Sequence, residues 1–115
     1  MLRGEIRLVD LDPARSGEAG KRRPAVIVSN DGANTMAARL GRGMVTVIPV
    51  TSNVDKVYPF QVLFPGDRLG LPNDSKAQAE QVRSVSVQRV MQKIGAVPPG
   101  LMLDVDDALR LHLAL

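Results

Sequence analysis

Between Glu5 and Leu11 apolar and polar residues alternate imperfectly, with Ile6, Leu8 and Leu11 as the apolar set, and Asp12-Pro13 follows as a turn signal. This predicts a first strand. From Ala14 to Arg23 no apolar run occurs, and Ser16, Gly17 and Gly20 interrupt any period, so a surface loop is expected there. Pro24-Ala25-Val26-Ile27-Val28-Ser29 reads as a short strand with proline at its opening, where the missing N–H does least harm. Asn30-Asp31 can cap a short helix over Ala33 to Leu40, with Gly41 placed to end it.

The strongest strand signal is Met44-Val45-Thr46-Val47-Ile48-Pro49-Val50, running directly into Thr51-Ser52. Pro59 to Phe64 predicts another strand, closed by Pro65-Gly66. Beyond a Gly- and Pro-rich connection from Pro65 to Asn73, Lys76 to Val85 reads as one strand, and Val90 to Val97 as a last one interrupted by Gly95. Pro98-Pro99-Gly100 introduces a terminal helix in which Leu101, Val105, Ala108, Leu109 and His112 are expected to share one face. Several short strands and a late helix predict a mainly β, α+β fold: a small, strongly bent antiparallel sheet, partly closed into a barrel, with helices packed outside.

A chain of 115 residues with 44% hydrophobic content is sized for one domain, taken as residues 1–115, and no repeat or linker divides it. There is no cysteine, which excludes disulfides and thiolate metal sites and is compatible with a reducing cytoplasm. No apolar run approaches the length of a membrane span, and Met1-Leu2-Arg3-Gly4-Glu5 lacks the apolar stretch of a signal peptide. A soluble, cytoplasmic protein with no membrane partner is the expectation. The net charge of +3 says little by itself, but its distribution is uneven. Arg15, Lys21, Arg22 and Arg23 lie in one stretch whose only acid is Glu18, whereas Asp104, Asp106 and Asp107 gather near the C-terminus.

His112 is the only histidine, so neither a paired-imidazole ribonuclease site nor a histidine metal cluster can be built. The Gly-rich segments lack the spacing of a phosphate-binding P-loop or a dinucleotide fingerprint, and no histidine stands ready to activate Ser29, Ser52 or Ser84. What remains is a set of arginines, hydroxyls and carboxylates at strand ends. That set suits anion transfer run by electrostatics, with phosphate the natural anion because guanidinium grips it bidentately.

Gly4-Glu5-Ile6, Val9-Asp10-Leu11-Asp12-Pro13, Gly17-Glu18, Arg23-Pro24-Ala25-Val26-Ile27-Val28-Ser29-Asn30 and Pro49-Val50-Thr51-Ser52 resemble, in order, the successive motifs of MazF/PemK toxin endoribonucleases. The resemblance continues through Tyr58-Pro59-Phe60, Gly70-Leu71 and Glu80-Gln81-Val82-Arg83-Ser84, so it covers nearly the whole chain. It implies an SH3-like barrel of the MazF/PemK/CcdB type, a homodimer, and a cognate antitoxin that occupies the RNA-binding surface. The implied activity is metal-independent, sequence-specific cleavage of single-stranded RNA (messenger, ribosomal or transfer), with no cofactor. Attack by the ribose 2′-hydroxyl would leave 2′,3′-cyclic phosphate and 5′-hydroxyl ends.

On the same resemblance Arg23 is the main cation at the scissile phosphate, Thr51 a hydroxyl donor to it, and Glu18 a candidate base. Arg15, Lys21, Arg22, Ser52, Tyr58, Lys76, Gln78, Glu80 and Gln81 are the expected RNA contacts. Gln78 stands where some relatives carry a catalytic arginine, and Arg7 where many have an aromatic residue. With no Trp, base stacking falls to Tyr58, Phe60 and arginine planes, although Phe60 and Phe64 read more simply as core. Two other functions fit such a fold: a non-catalytic binding module, and a DNA gyrase inhibitor of the CcdB type. The gyrase poison depends on a C-terminal Trp-Gly-Ile, whereas this chain ends Leu113-Ala114-Leu115.

Overall fold

The computed structural model describes residues 1–11 and 22–115. Among the described residues seven strands form an antiparallel sheet in the order β4-β5-β3-β2-β1-β7, with β6 pairing on β3 off that path. They are β1 (Glu5–Asp10), β2 (Arg22–Ile27), β3 (Met44–Thr51), β4 (Gln61–Phe64), β5 (Ser75–Gln78), β6 (Arg83–Ser86) and β7 (Val90–Ala96). Three α-helices, α1 (Asp31–Leu40), α2 (Gly66–Leu69) and α3 (Pro99–Leu113), and two 3-10 turns, Ala79–Gln81 and Val87–Arg89, complete the described fold.

The period-2 pattern of β2 and β3 divides the apolar residues between two cores. Val26, Ile48 and Val50 point to one side, where Ile6, Val62, Phe64, Leu69 and the buried Val105 and Ala108 of α3 meet them. Ala25, Ile27, Val45 and Val47 point to the other side, against Val9, Leu11, Val85 and Ala37 of α1. Phe64 is fully buried and settles as core, a transfer that stabilises by about 1.5–3 kcal/mol. The α1 caps are those the residues predict: the Asn30 side chain accepts from the Ala33 N–H, and Gly41 closes the helix in the left-handed region.

β3 organises the sheet. Its first half pairs with β6, its middle with β2 through Ile27↔Val47 to Ala25↔Pro49, and its end with β5 through Val50↔Ala77 and Thr51↔Lys76. The single strand predicted over Lys76–Val85 is therefore two strands, broken by a 3-10 turn at Ala79–Gln81. That break lets one chain segment follow β3 while the sheet bends around the first core, the curvature a barrel needs.

Three other departures have local causes. The Gly- and Pro-rich connection contains α2, a single turn too short to leave a periodic signal; the Asp74 carboxylate accepts from the Gly66 N–H at its start. Gly95 does not interrupt β7. It sits opposite Ile6 and passes so close to α2 that a Cβ there would collide with the Leu69 carbonyl oxygen, while the register shift after Ile6 leaves Ile94 as the extra residue of a bulge. On α3 the predicted face holds for Val105 and Ala108, with Leu101 and Leu109 half-buried, but His112 is exposed because the last turn runs past the sheet.

Candidate active site

Arg23 and Thr51 enter the site through strand geometry. Ala25 and Pro49 are the last register partners of the β2/β3 ladder. Arg23 lies two residues before one and Thr51 two residues after the other, so both leave the ladder at the same end. They line one cleft of about 200 Å³, together with Pro24, Val50, Ser52, Leu71, Pro72, Asn73 and Ser75. Drug-sized ligands fill pockets of roughly 300–1,000 Å³, so this cleft is smaller than those and has ample room for a phosphate group.

The two side chains bring complementary chemistry. Arg23 is half-buried and forms no ion pair with a described carboxylate. The Thr51 hydroxyl oxygen accepts from the Asn53 N–H at 3.3 Å, which leaves its proton to donate outward. A fixed cation and a free hydroxyl donor in one small cleft make a receptor for an anion. Pro72, Asn73 and Ser75 were not singled out in the sequence. The Gly- and Pro-rich composition of their segment marks a turn, and its approach to β2 and β3 is tertiary.

The other expected contacts scatter more widely. Arg15, Glu18 and Lys21 lie outside the described residues. Arg22 is exposed at the start of β2, opposite Asp10, and Ser52 and Gln81 are exposed. Tyr58 is 45% exposed and stacks parallel on the half-buried Phe60 at 5.4 Å between centroids, so Phe60 is only partly core. Gln78 is half-buried and pairs with Gln61 across β5 and β4. Two residues turn inward, unlike the surface contacts expected. Lys76 is 7% exposed and its ammonium donates to the Lys56 carbonyl. Glu80 accepts from the Gln61 side-chain amide at 2.7 Å through Oε2, while its Oε1 is buried with no partner among the described residues.

At the other end of β1 the arginines are engaged. Arg7 reaches Glu5 Oε1 through both Nε and Nη2 at 2.9 Å and donates to the Met91 carbonyl at 3.0 Å. Arg3 binds the Val28 carbonyl and Asp106 of α3. Glu5 is buried, which pushes its carboxyl up, but hydrogen bonds from Arg7 and the Leu2 N–H, with the Arg7 charge, outweigh that and leave it below its ordinary value.

Comparison with known proteins identifies the family. A family model described as PemK-like, MazF-like toxin of type II toxin-antitoxin system matches residues 2–113. The chain is 58% identical over 115 residues to Endoribonuclease MazF9 of Mycobacterium tuberculosis, covering 100% of this chain and 98% of that protein. It is 32% identical over 114 residues to Endoribonuclease EndoA of Bacillus subtilis, covering 98% and 94%. Among solved structures, a MazE-MazF crystal structure from Deinococcus radiodurans matches with a TM-score of 0.78 at 26% identity, covering 100% of this chain and 96% of that chain.

Proposed function

Because this chain belongs to the PemK-like, MazF-like toxin family, we propose that it is a metal-independent, sequence-specific endoribonuclease that acts on single-stranded RNA and is neutralised by a cognate antitoxin. One observation carries the reading: Arg23 and Thr51, 28 positions apart in the chain, line a single small cleft with room for a phosphate. Arg23 grips the non-bridging oxygens of the scissile phosphate and carries a fixed charge toward the negative charge that develops on phosphorus. Thr51 donates to one of those oxygens and holds the group in line.

In this mechanism the ribose 2′-oxygen attacks phosphorus and the bond to the 5′-oxygen breaks. The 2′-hydroxyl proton passes to a base, for which Glu18 is the candidate, and the departing 5′-oxygen takes up a proton from water. The products are a 2′,3′-cyclic phosphate and a 5′-hydroxyl. Arg15, Lys21, Arg22, Ser52, Gln78 and Gln81 track the RNA on either side, and Arg23 supplies the charge that a metal ion supplies elsewhere. The working form is a cytoplasmic homodimer of one toxin domain per chain. Leu103, Leu111, Leu113 and Leu115 of α3 and its end are at least 49% exposed and offer apolar area for pairing.

Purified protein incubated in EDTA with a mixed pool of single-stranded RNAs tests the proposal. Cuts at a short recurring sequence, ending in cyclic phosphate and 5′-hydroxyl, are expected. Intact RNA at stoichiometric protein would reduce the chain to a binding module.

A further inference from the structure

Lys76 is an unusual lysine. Its neighbours in register are Thr51 on β3 and Leu63 on β4, and it follows Ser75, which lines the cleft. A lysine on a strand ordinarily extends its stem and keeps the ammonium in water. Here the side chain is buried, its ammonium donates to the Lys56 carbonyl, and it lies 6.0 Å from the centre of the Tyr58 ring. Burying an ammonium is costly unless its surroundings replace water. The carbonyl and the ring face do so.

A second tether acts on the same turn. Gln61 donates its backbone N–H to the Tyr58 carbonyl at 2.8 Å, and its side-chain oxygen accepts from the Tyr58 N–H at 3.1 Å. Its amide nitrogen is held in turn by Glu80. The backbone from Lys56 to Tyr58 is thus fixed from beneath by two buried polar side chains, while the Tyr58 ring lies against Phe60 and remains partly open to solvent. The Lys56 ammonium also stands 5.8 Å from that ring. A held, partly exposed aromatic ring flanked by cations is a platform for a nucleobase.

We propose that Lys76 is a positioning residue: its buried ammonium fixes the Lys56–Tyr58 segment so that the Tyr58 ring stacks on a base of the RNA whose phosphate occupies the Arg23–Thr51 cleft. The assignment rests on the endoribonuclease reading for its substrate but not for its geometry. Lys76 touches no RNA; it acts through Tyr58.

The test is direct because Tyr58 is the only tyrosine and there is no tryptophan, so tyrosine emission reports on this ring alone. The probe is an RNA carrying 2′-deoxyribose at the mapped cleavage position, which binds without being cut. It is expected to quench wild-type emission. In Lys76→Met, which keeps the aliphatic stem and loses the ammonium, quenching falls by at least about half. KM for cleavable RNA rises about tenfold while kcat changes by less than about twofold, the pattern of a weakened stacking contact. Tyr58→Ala raises KM by at least as much, and adding Lys76→Met to it brings no further loss, as expected for residues acting in series.

Lys76→Gln can still donate to the Lys56 carbonyl and is expected to fall between wild type and Lys76→Met. It carries the test if Lys76→Met does not fold. Wild-type KM and quenching in the folded lysine variants, a fall in kcat at constant KM, or independent effects in the double variant would overturn the proposal. RNA that is cleaved without quenching Tyr58 would sink this inference and leave the nuclease reading standing. RNA that stays intact yet quenches Tyr58 in a Lys76-dependent way would do the reverse.

Discussion

The two ends of the β1–β2 hairpin carry the same residue type and use it differently. At the end where β1 begins, Arg3 and Arg7 are spent on Asp106, Glu5 and backbone carbonyls, and they tie the first strand to α3 and β7. At the far end, Arg23 sits opposite Val9 in the ladder and lines a cleft with Thr51, with no described carboxylate to neutralise it. An arginine with satisfied donors is part of the scaffold. One with no counter-ion among the described residues has a charge that an incoming anion could use, and it is the number of described partners, not residue identity, that separates the two.

The contrast is sharpest for Arg23→Ala. Removing a transition-state cation typically costs roughly 10²–10³ in kcat, and here it should do so with a melting temperature close to wild type, because no described ion pair is lost. Turnover within a few-fold of wild type in a gel or fluorogenic RNA assay would place Arg23 with the scaffold arginines. Arg7→Ala should behave in the opposite way. It strips the buried Glu5 carboxylate of its main partner and should destabilise by about 1–3 kcal/mol in urea titrations, while the folded fraction cleaves RNA normally.

A pH series probes the same pair. The Glu5 carboxyl is held below its ordinary value by Arg7 and the Leu2 N–H, against the opposing effect of burial. The stability it contributes is therefore present above the unfolded pKa of about 4.3 and lost as pH falls through the lower folded value. The stability gap between wild type and Glu5→Gln should accordingly be widest near neutrality and close on acidification; a gap that widens in acid would contradict the ion-pair assignment. The smallest effect belongs to Arg110→Ala. Arg110 and Asp107 form an exposed pair three residues apart on α3, with side chains 61% and 76% accessible. Thermal unfolding should shift by no more than about 0.5 kcal/mol.

Much of this was legible beforehand, for uneven reasons. The α1 helix was marked at both ends by Asn30 and Gly41, and β3 by its β-branched run. Arg23 and Thr51 were marked by the family resemblance of their motifs; no periodicity distinguishes them from other strand-end residues. The division of Lys76–Val85 into two strands was not legible, because Ala79-Glu80-Gln81 carries neither glycine nor proline to announce a turn. The same holds for the inward aim of Lys76 and Glu80, since a charged side chain on a half-polar strand ordinarily meets water.

Sequence alone thus determined most of the elements, the α1 caps and the chemistry on offer, because alternation, capping and turn formation depend on residues within a few positions of one another. Tertiary structure decided which charges are spent and which remain available. That decision needed β3 to hold β2 along one stretch and β5 and β6 along others, bringing Arg23 to Thr51 and Lys76 beneath Tyr58. Coulomb and hydrogen-bond energies act between groups near in space, so the pairing of strands distant in the chain fixes them.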